Sequence, residues 1–350
     1  MHNNSIASLQ LANGAIFKGK SFGYEASTKG EVIFNTAMTG YPEILTDPSS
    51  FGKIIVFTYP LIGNYGVPIE EVKQRISTFF ESEKIHACGV VISDYSFEYS
   101  HWNAVKSMSD WLKEQKIPAM YGVDTREITR IIREEGTMQA SLVIGEEQVE
   151  TTKPEALVTS KEIITYGQGK KNLLLVDCGV KHDLIRTLLK YDVTITQVPC
   201  DYDFSNINYD AIVISNGPND PHQYKTTIEN IKRVLTQDKP ILGIGLGHQL
   251  LCLADGASVV KLKYGHHGHN QPVRVVGTTR CFITDQNHEY AVDAATLNAD
   301  WQPLLVNMND DTNEGVYHKT KPFLSVQFQP QVMDSTTDTS FLLDEFMQMI

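Results

Sequence analysis

The second half of the sequence alternates short apolar runs with amphipathic stretches, and this alternation constrains the fold more than any other feature. The predicted elements are strands at 173–176, 193–198, 211–214 and 241–244 and helices at 183–191, 228–235 and 246–253. Strands that alternate with helices favour an α/β fold with a doubly wound, mostly parallel sheet that is covered on both faces. Ligands of such sheets bind beyond the carboxyl ends of the strands, so a site is expected in the loops there.

The region 1–145 predicts a different, β-rich α/β domain. Asn13-Gly14 lies between two apolar stretches and predicts a tight hairpin, because both residues tolerate positive φ. A helix is predicted at 125–135, with Asp124 as its N-cap and Gly136 as its C-terminal stop. Further predicted elements are strands at 31–35, 53–59 and 88–92 and a helix at 105–115.

A polar stretch at 146–171 separates these two regions and is interpreted as an interdomain connection that has room for a short helix. The predicted organisation is therefore an N-terminal domain at 1–145, the connection, and a second domain at 172–350. The second domain continues with predicted strands at 280–284, 304–307 and 324–328 and a final helix from about residue 340.

Charge and cysteine usage exclude several classes of function. The chain has 350 residues and a formal net charge of -12, which argues against binding to a nucleic-acid backbone. It has no uninterrupted apolar run of about 18 residues and no charged and then apolar leader, so neither a membrane span nor a signal peptide is expected. Its five cysteines are widely spaced, which predicts reduced thiols in a cytoplasmic protein.

The segment 243–249 reads Gly-Ile-Gly-Leu-Gly-His-Gln and directly follows a predicted strand. The pattern Gly-x-nucleophile-x-Gly is that of a nucleophile elbow, a sharp strand-to-helix turn that lifts one side chain above a sheet. The position that carries a Ser or Cys in such a turn is Gly245 here. A phosphate-binding loop fits less well, because the glycine spacing of the dinucleotide and P-loop motifs does not occur.

The elbow, the Ser-Asn-Gly-Pro turn at 215–218 and the late segment 326–331 resemble the class I glutamine amidotransferase family. In that family an elbow Cys attacks the side-chain amide of glutamine, a His activates the thiol, and a Glu orients the His. The resemblance implies that Gly245, Gln329 and Gln331 take the positions of the Cys, the His and the Glu. Glycine has no nucleophile and a glutamine amide does not titrate near neutral pH, so the chain is predicted to be inactive as a glutaminase.

Motifs in the first half narrow the resemblance to one subfamily. Residues 32–49, 59–66 and 124–126 resemble the small subunit of glutamine-dependent carbamoyl-phosphate synthetase, and the likeness covers nearly the whole chain. The glutamine-pocket positions that it implies are Ser49, Gly217, Asn219, Leu246, Gln249, Asn287, Glu289 and Tyr290. Asn219 and Glu289 replace glycines of the family, and a Cβ atom there blocks close approach of the backbone to a substrate.

The resemblance implies a cytoplasmic heterodimer with a large subunit that makes carbamoyl phosphate from bicarbonate, ATP and ammonia. ATP and Mg are expected on the large subunit and no cofactor on this chain, whose remaining role would be structural or regulatory. Two alternatives stay open. One is a sensor module that binds an amino acid without hydrolysing it, and the other is an active glutamine-hydrolysing small subunit altered at the nucleophile. The sequence does not separate the arginine pathway from the pyrimidine pathway.

Three other groups of residues invite a functional interpretation. His266, His267 and His269, with His248 and His288, suggest a zinc site, although a structural loop is the simpler interpretation because the family carries these residues without a metal role. Asp124-Thr125-Arg126 suggests an anion clamp, for which a helix cap with an Arg salt bridge is the simpler alternative. Cys178 is the only candidate for a replacement nucleophile, since Cys252 lies about two helical turns beyond the elbow.

Overall fold

The computed structural model describes residues 5–145, 158–204, 207–331 and 338–350. The chain divides into two compact units, Met1–Ala156 and Leu157–Ile350. Within the predicted connection, residues 146–157 lie outside the described residues. The described remainder belongs to the second unit and forms a strand at Ile164–Tyr166, not a helix, because it pairs with the edge of the sheet in that unit.

The described part of the first unit contains strands and three α-helices. The strands are β1 (Ile6–Leu11), β2 (Ile16–Ser21), β3 (Thr28–Asn35), β4 (Lys53–Phe57), β5 (Leu61–Ile62), β6 (Val67–Pro68), β7 (Val72–Lys73), β8 (Ile76–Ser77), β9 (Gly89–Val91), β10 (Asp94–Tyr95), β11 (Ala104–Lys106), β12 (Ala119–Tyr121) and β13 (Met138–Ile144). The helices are α1 (Tyr41–Thr46), α2 (Met108–Glu114) and α3 (Thr125–Glu135).

Seven strands of the first unit close into a barrel in the order β1, β13, β3, β4, β9, β12 and β2. The ladders β3–β4, β4–β9 and β9–β12 are parallel, and the others are antiparallel. Leu9, Val32, Ile54, Val90 and Leu142 are completely buried, so each of these strands contributes an apolar side chain to the core. Closure removes the exposed strand edges that an open sheet would leave.

Two local predictions in this unit are confirmed. The Asn13-Gly14 hairpin joins β1 and β2, and Gly14 has a φ of 94°, the positive value that the turn requires. Helix α3 begins where it was predicted, because the Asp124 side chain accepts a hydrogen bond from the N–H of Glu127 at 3.0 Å. It ends at Gly136, whose φ is 97°.

Two details of the prediction are wrong. The helix predicted at 105–115 begins only at Met108, because the Ser107 side chain caps it and the residues Ala104–Lys106 pair with β6 instead. The predicted salt bridge of Arg126 is not formed within the part of the chain that the structure describes. On α3 it is Arg130 that bridges two carboxylates.

The described part of the second unit contains ten strands and four α-helices. The strands are β14 (Ile164–Tyr166), β15 (Lys171–Asp177), β16 (Val193–Pro199), β17 (Ala211–Ile214), β18 (Ile241–Ile244), β19 (Val259–Val275), β20 (Cys281–Val292), β21 (Trp301–Asn307), β22 (Asn313–His318) and β23 (Phe323–Val326). The helices are α4 (His182–Leu188), α5 (Lys225–Val234), α6 (Leu246–Ala254) and α7 (Phe341–Gln348).

These strands form one sheet in the order β14, β16, β15, β17, β18, β23, β22, β21, β19 and β20. The five strands from β16 to β23 are parallel to one another, as the strand–helix alternation predicted. The antiparallel extension through β22, β21, β19 and β20 was predicted only in part, since β19 and β22 were missed. The polar centre of β19 interrupts the apolar alternation that marks a strand, and its pairing with β20 shifts register twice.

Each helix among the described residues is too short or too polar to cross a lipid bilayer.

Candidate functional site

The turn between β18 and α6 has the backbone geometry of a nucleophile elbow, with Gly245 at its apex. Gly245 has φ 57° and ψ -113°, a conformation that a residue with a side chain adopts only under strain. Its N–H donates to the carbonyl oxygen of Val326 on the neighbouring parallel strand at 2.9 Å. The apex therefore lies at the carboxyl ends of the parallel strands, where α/β sheets bind ligands.

Close packing requires the two glycines on either side of the apex. A Cβ atom on Gly243 would lie 2.7 Å from the carbonyl oxygen of Gly247, and one on Gly247 would lie 2.1 Å from that of Ile214. Larger residues at these positions would push α6 off the sheet. At Gly245 a Cβ atom would lie 3.1 Å from the Cβ of Asn216, so a side chain there would be crowded without being excluded.

The two glutamines that were predicted to replace the His and the Glu are buried and bonded to each other. The Gln331 side-chain N–H donates to Oε1 of Gln329 at 2.9 Å. The backbone of Gln329 is fixed as well, since its N–H donates to the carbonyl oxygen of Asp285 at 3.1 Å. The pair keeps a side chain-to-side chain link like that of a His–Glu dyad, but neither amide can take up or release a proton near neutral pH.

Gln249 connects the elbow helix to the strands around it. Its side-chain N–H donates to the carbonyl oxygen of Tyr290 at 2.8 Å and to Oε1 of Gln327 at 3.0 Å. Within the described residues, the buried Nε2 of Gln327 and Oε1 of Gln331 have no hydrogen-bond partner. A buried polar atom without a partner is costly, so each of these two atoms would gain from a hydrogen bond to a ligand.

The loop after β17 carries two further predicted pocket positions. A Cβ atom on Gly217 would lie 1.9 Å from the carbonyl oxygen of Cys178, so only glycine fits there. Asn219 has a φ of 74°, a left-handed conformation that asparagine tolerates better than most residues. The backbone conformation that the family supplies with glycine is thus kept at Asn219, with a side chain added.

The remaining predicted pocket positions fall into two groups. Leu246 and Glu289 are buried in the second unit, and Asn287 is half-buried there with its Oδ1 2.8 Å from Nδ1 of His267. Ser49 belongs to the first unit, where its N–H donates to the Asp47 carboxylate at 2.8 Å.

A buried polar network lies on the antiparallel extension of the sheet. Nε2 of His266 lies 2.9 Å from the Asp310 carboxylate, and its Nδ1 lies 3.3 Å from that of Glu314. The carboxamide of Gln286 stands between these groups: its oxygen lies 2.8 Å from His266 and 3.0 Å from His288, and its nitrogen donates to Glu314 at 2.9 Å. The network ties three strands, β19, β20 and β22, to one another and to the turn that carries Asp310.

Burial and hydrogen bonding determine the charges of this network. Burial alone would lower the pKa of His266, but hydrogen bonds to Asp310 and Glu314 outweigh it and raise the pKa to about 9. Burial would raise the pKa of Asp310, yet the bond to His266 lowers it to about 2. Burial also lowers the pKa of His288 well below its usual value. At neutral pH the network therefore holds a His266 cation beside the Asp310 carboxylate.

The structure does not support the zinc interpretation as it was made from the sequence. It brings His266 and His288 together with Glu314, whose candidate ligand atoms lie within 4.8 Å of one another. The Gln286 carboxamide already bonds to all three side chains. His248 lies apart, with Nδ1 2.8 Å from the Ser325 hydroxyl. His248, His266, His267 and His288 each form a hydrogen bond through at least one ring nitrogen.

Neither cysteine near the elbow is suited to replace a nucleophile. Cys178 is completely buried, and burial, with Cys200 and Asp177 nearby, holds the pKa of its thiol well above the ordinary value. Burial raises the pKa of Cys252 as well. A reactive cysteine needs an accessible thiolate, and these environments provide neither access nor ionisation.

Comparison with known proteins identifies the family. The model described as "Carbamoyl-phosphate synthase small chain, CPSase domain" matches residues 9–142, and "Glutamine amidotransferase class-I" matches residues 174–349. The arginine-specific small chain of carbamoyl phosphate synthase from Aspergillus niger is 43% identical over 98% of this chain and 80% of its own length. The chain belongs to the carbamoyl-phosphate synthase small-chain family. The resemblance inferred from the motifs is therefore confirmed, as is the amidotransferase fold of the second unit.

Other relatives show that the family occurs in proteins of two very different lengths. The arginine-specific small chain of Schizosaccharomyces pombe is 42% identical and is covered over 87% of its length. The multifunctional protein CAD of Squalus acanthias is 45% identical over 98% of this chain, which spans only 16% of that protein. The small-chain sequence thus occurs both as most of a protein and as a part of a much larger one.

The sequence interpretation missed several residues that organise this region. Asp285 and Gln327 hold the two glutamines and the elbow helix, and Asn307 and Glu314 complete the buried network. Glu314 is completely buried, although in the sequence it follows a polar turn and resembles a solvated acid. Its position on an unpredicted strand, β22, is the reason that no pattern in the sequence indicated its role.

Proposed function

We propose that this chain is a carbamoyl-phosphate synthase small chain that does not hydrolyse glutamine and acts as a structural or regulatory partner of a large chain supplied with ammonia. One observation carries the proposal: Gly245, which has no side chain, occupies the strained apex of an otherwise intact elbow. The packing of Gly243 and Gly247 argues that the elbow has kept its shape. The scaffold is present and the nucleophile is absent.

The Gln329–Gln331 pair supports the same conclusion. A general base must accept the thiol proton and return it to the leaving ammonia, and two neutral amides cannot do so. Their hydrogen bond preserves the packing of the site without its acid–base chemistry. Loss of a complete triad typically lowers turnover by about 10⁶-fold. Glutamine hydrolysis by this chain is therefore expected to be negligible beside the rate of carbamoyl phosphate synthesis.

In this proposal the chemistry that uses ATP and Mg belongs to the large chain, and the role of this chain is structural. The buried network of His266, Gln286 and Glu314 stiffens the sheet beside the elbow. The first unit contributes a closed barrel. A rigid partner can hold a large chain in its active conformation without taking part in the reaction.

The test compares two nitrogen donors. The chain is mixed with a large chain from an intact member of the family, and carbamoyl phosphate is measured with either glutamine or ammonium chloride. We expect synthesis with ammonium chloride, and with glutamine a rate below about 1% of that, because no group in the site can attack the amide. The matched control is an intact small chain with the same large chain, which should use glutamine.

Two results would contradict the proposal. Glutamine-driven synthesis at a rate comparable to that of the intact small chain would show that the chain hydrolyses glutamine. An equal rate with ammonium chloride whether or not this chain is added would show that it does not support the large chain.

A second candidate function, a non-hydrolysing amino-acid sensor, is favoured by the two unpartnered amide atoms. Nε2 of Gln327 is a buried donor and Oε1 of Gln331 a buried acceptor. A side-chain amide both donates and accepts hydrogen bonds, so it is a group that can pair with atoms of either kind. Leaving each unpaired costs about 1–3 kcal/mol, so binding would recover part of this free energy.

Calorimetry with glutamine, glutamate and asparagine tests this sensor function. We expect saturable binding of at least one of them and an affinity lowered about tenfold or more by Gln327→Leu, because that change removes the donor. The matched control, Gln115→Leu, alters an exposed glutamine of the first unit and should leave binding unchanged. Flat titrations with all three amino acids would exclude the sensor function.

A further inference from the structure

Gly245 is part of a closed ring of contacts at the carboxyl end of the sheet. Its N–H donates to the carbonyl oxygen of Val326 at 2.9 Å. Shortly after Val326, the N–H of Gln329 donates to the carbonyl oxygen of Asp285 at 3.1 Å, and these two residues form an isolated antiparallel bridge. The first half of the ring therefore runs from the apex of the elbow to β20 through backbone hydrogen bonds.

The other half of the ring runs through the loops after β17 and β15. A Cβ atom on Gly245 would lie 3.1 Å from that of Asn216, whose side-chain amide donates to the carbonyl oxygen of Gly179 at 3.1 Å. Lys181 follows directly before α4, and its Nζ lies 3.8 Å from Oδ2 of Asp285. This ion pair closes the ring, because it joins the turn after β15 to β20.

The groups along the ring are shielded from solvent. Gly245 is buried, and so are the side chains of Asn216, Gln329 and Lys181. Gln331, which bonds to Gln329, is buried as well. A ligand therefore reaches the apex only after part of this ring has moved aside.

The contact between Lys181 and Asp285 is the one that can open without disturbing the sheet. Each hydrogen bond of the ring uses a main-chain N–H or carbonyl group, whereas the ion pair joins two side chains. At 3.8 Å it is also the longest polar contact of the ring. Lysine carries its charge on a flexible four-carbon stem, so rotation about its side-chain bonds can separate the two groups while the backbone stays in place.

A second neighbour of Asp285 makes an open arrangement possible. Nε2 of His269 lies 3.6 Å from Oδ1 of Asp285, the other oxygen of the same carboxylate. The side chains of His269 and Asp285 are each 24% exposed, so water reaches this part of the ring. When Lys181 moves away, the carboxylate keeps one neighbour and gains solvent. It is therefore not left as an isolated buried charge, which would be costly.

We infer that the Lys181–Asp285 ion pair is a latch on the elbow site: it is closed in this structure and blocks the approach of small molecules to Gly245, and its release opens the path to the apex. The inference goes beyond the proposed function, since it concerns access to the site and not the hydrolysis of glutamine. It also adds a control step to the second candidate function, because an amino acid would enter the site only while the latch is open.

The test places a thiol at the apex and measures how fast a small alkylating reagent reaches it. In a Gly245→Cys background, labelling of position 245 by iodoacetamide is followed by peptide mass spectrometry. Lys181→Met and Asp285→Asn are each expected to raise the labelling rate about fivefold or more, because either change removes the ion pair and keeps a side chain of similar size. Lys181→Arg keeps the charge and should be labelled nearly as slowly as the parent.

Three controls separate the latch from general effects. Lys232→Met alters an exposed lysine on α5 and should leave the rate unchanged. Cys252 is buried on α6, the helix that follows the apex, and its labelling should stay slow in every variant. The double variant Lys181→Met with Asp285→Asn should be labelled no faster than either single variant, since both changes break the same contact.

The outcomes either support the latch or overturn it. Faster labelling of position 245 in both single variants, with no further gain in the double variant and a protected Cys252, supports it. Unchanged rates would show that the pair does not control access, and additive effects would show that the two residues act separately. A parallel rise at Cys252 would show that the whole fold has loosened. Each of these three results overturns the latch.

A second reporter position covers the case in which the apex does not tolerate a side chain. Gln331→Cys replaces a buried side chain beside Gln329 by a smaller one and leaves Gly245 in place. Its labelling should respond to Lys181→Met and Asp285→Asn in the same way. An equal labelling rate with and without the ion pair would overturn the latch at this position as well.

Discussion

Gly245→Cys combined with Gln329→His and Gln331→Glu is expected to raise glutamine hydrolysis at least about 10³-fold above that of the unaltered chain. The backbone at the apex already has the strained conformation in which an elbow displays its nucleophile. The 2.9 Å bond between Gln331 and Gln329 shows that side chains at these positions can pair. Release of ammonia and glutamate measures the effect. Adding Asn219→Gly and Glu289→Gly should raise it further, because both remove side chains that the family lacks.

The control for this experiment tests whether the thiol itself is responsible for the hydrolysis. Gly245→Ala with the same two other changes adds the Cβ atom, which lies 3.1 Å from that of Asn216, but no nucleophile. It should fold like the triple variant and hydrolyse nothing. Brisk hydrolysis by the unaltered chain that a thiol reagent stops would contradict the proposal, and so would equal activity in the Ala and Cys variants.

His266→Asn is expected to lower the free energy of unfolding by about 3–5 kcal/mol, because it leaves the completely buried Glu314 without its cation. The effect depends on pH. The pKa of His266 is raised from about 6.5 in the unfolded chain to about 9 in the folded one. The stability that it contributes is therefore fully present below pH about 6.5 and is lost as the pH rises through about 9. Urea unfolding at several pH values measures both effects.

A double-mutant cycle distinguishes lost charge pairing from lost packing. Glu314→Gln removes the carboxylate, so His266→Asn should cost less in that background than in the unaltered chain. His222→Asn is the matched control, since His222 pairs with Asp220 at an exposed site and should contribute little. Equal costs of His266→Asn in both backgrounds, or an unchanged decline of stability with alkaline pH, would show that the ion pairs do not stabilise the fold.

The features that were predicted correctly are those with a local cause. The elbow was recognisable because Gly243 and Gly247 are required by contacts within one strand–turn–helix unit and the strand beside it. The cap of α3 depends on Asp124 and a backbone N–H three residues away. In both cases the residues that form the motif stand within a few positions of one another in the sequence, although Gly247 also packs against Ile214 of β17.

The errors have non-local causes. Helix α2 was predicted too long because Ala104–Lys106 is drawn into a ladder with a strand more than thirty residues away. Cys178 was considered as a nucleophile because it follows a strand, but neighbours from several elements bury it completely. The acid that faces His266 was missed because β22, which carries Glu314, was not predicted.

The sequence by itself determined the family, the order of the main helices and strands, and the absence of a nucleophile at the elbow position. Side-chain chemistry and backbone preference are properties of single residues and their near neighbours, so they can be read directly. Only the tertiary structure decided which polar groups are buried and which residues they contact, as for the His266 cation and the link between Gln329 and Gln331. Solvation and charge pairing depend on contacts between residues far apart in the chain, and those contacts exist only after folding.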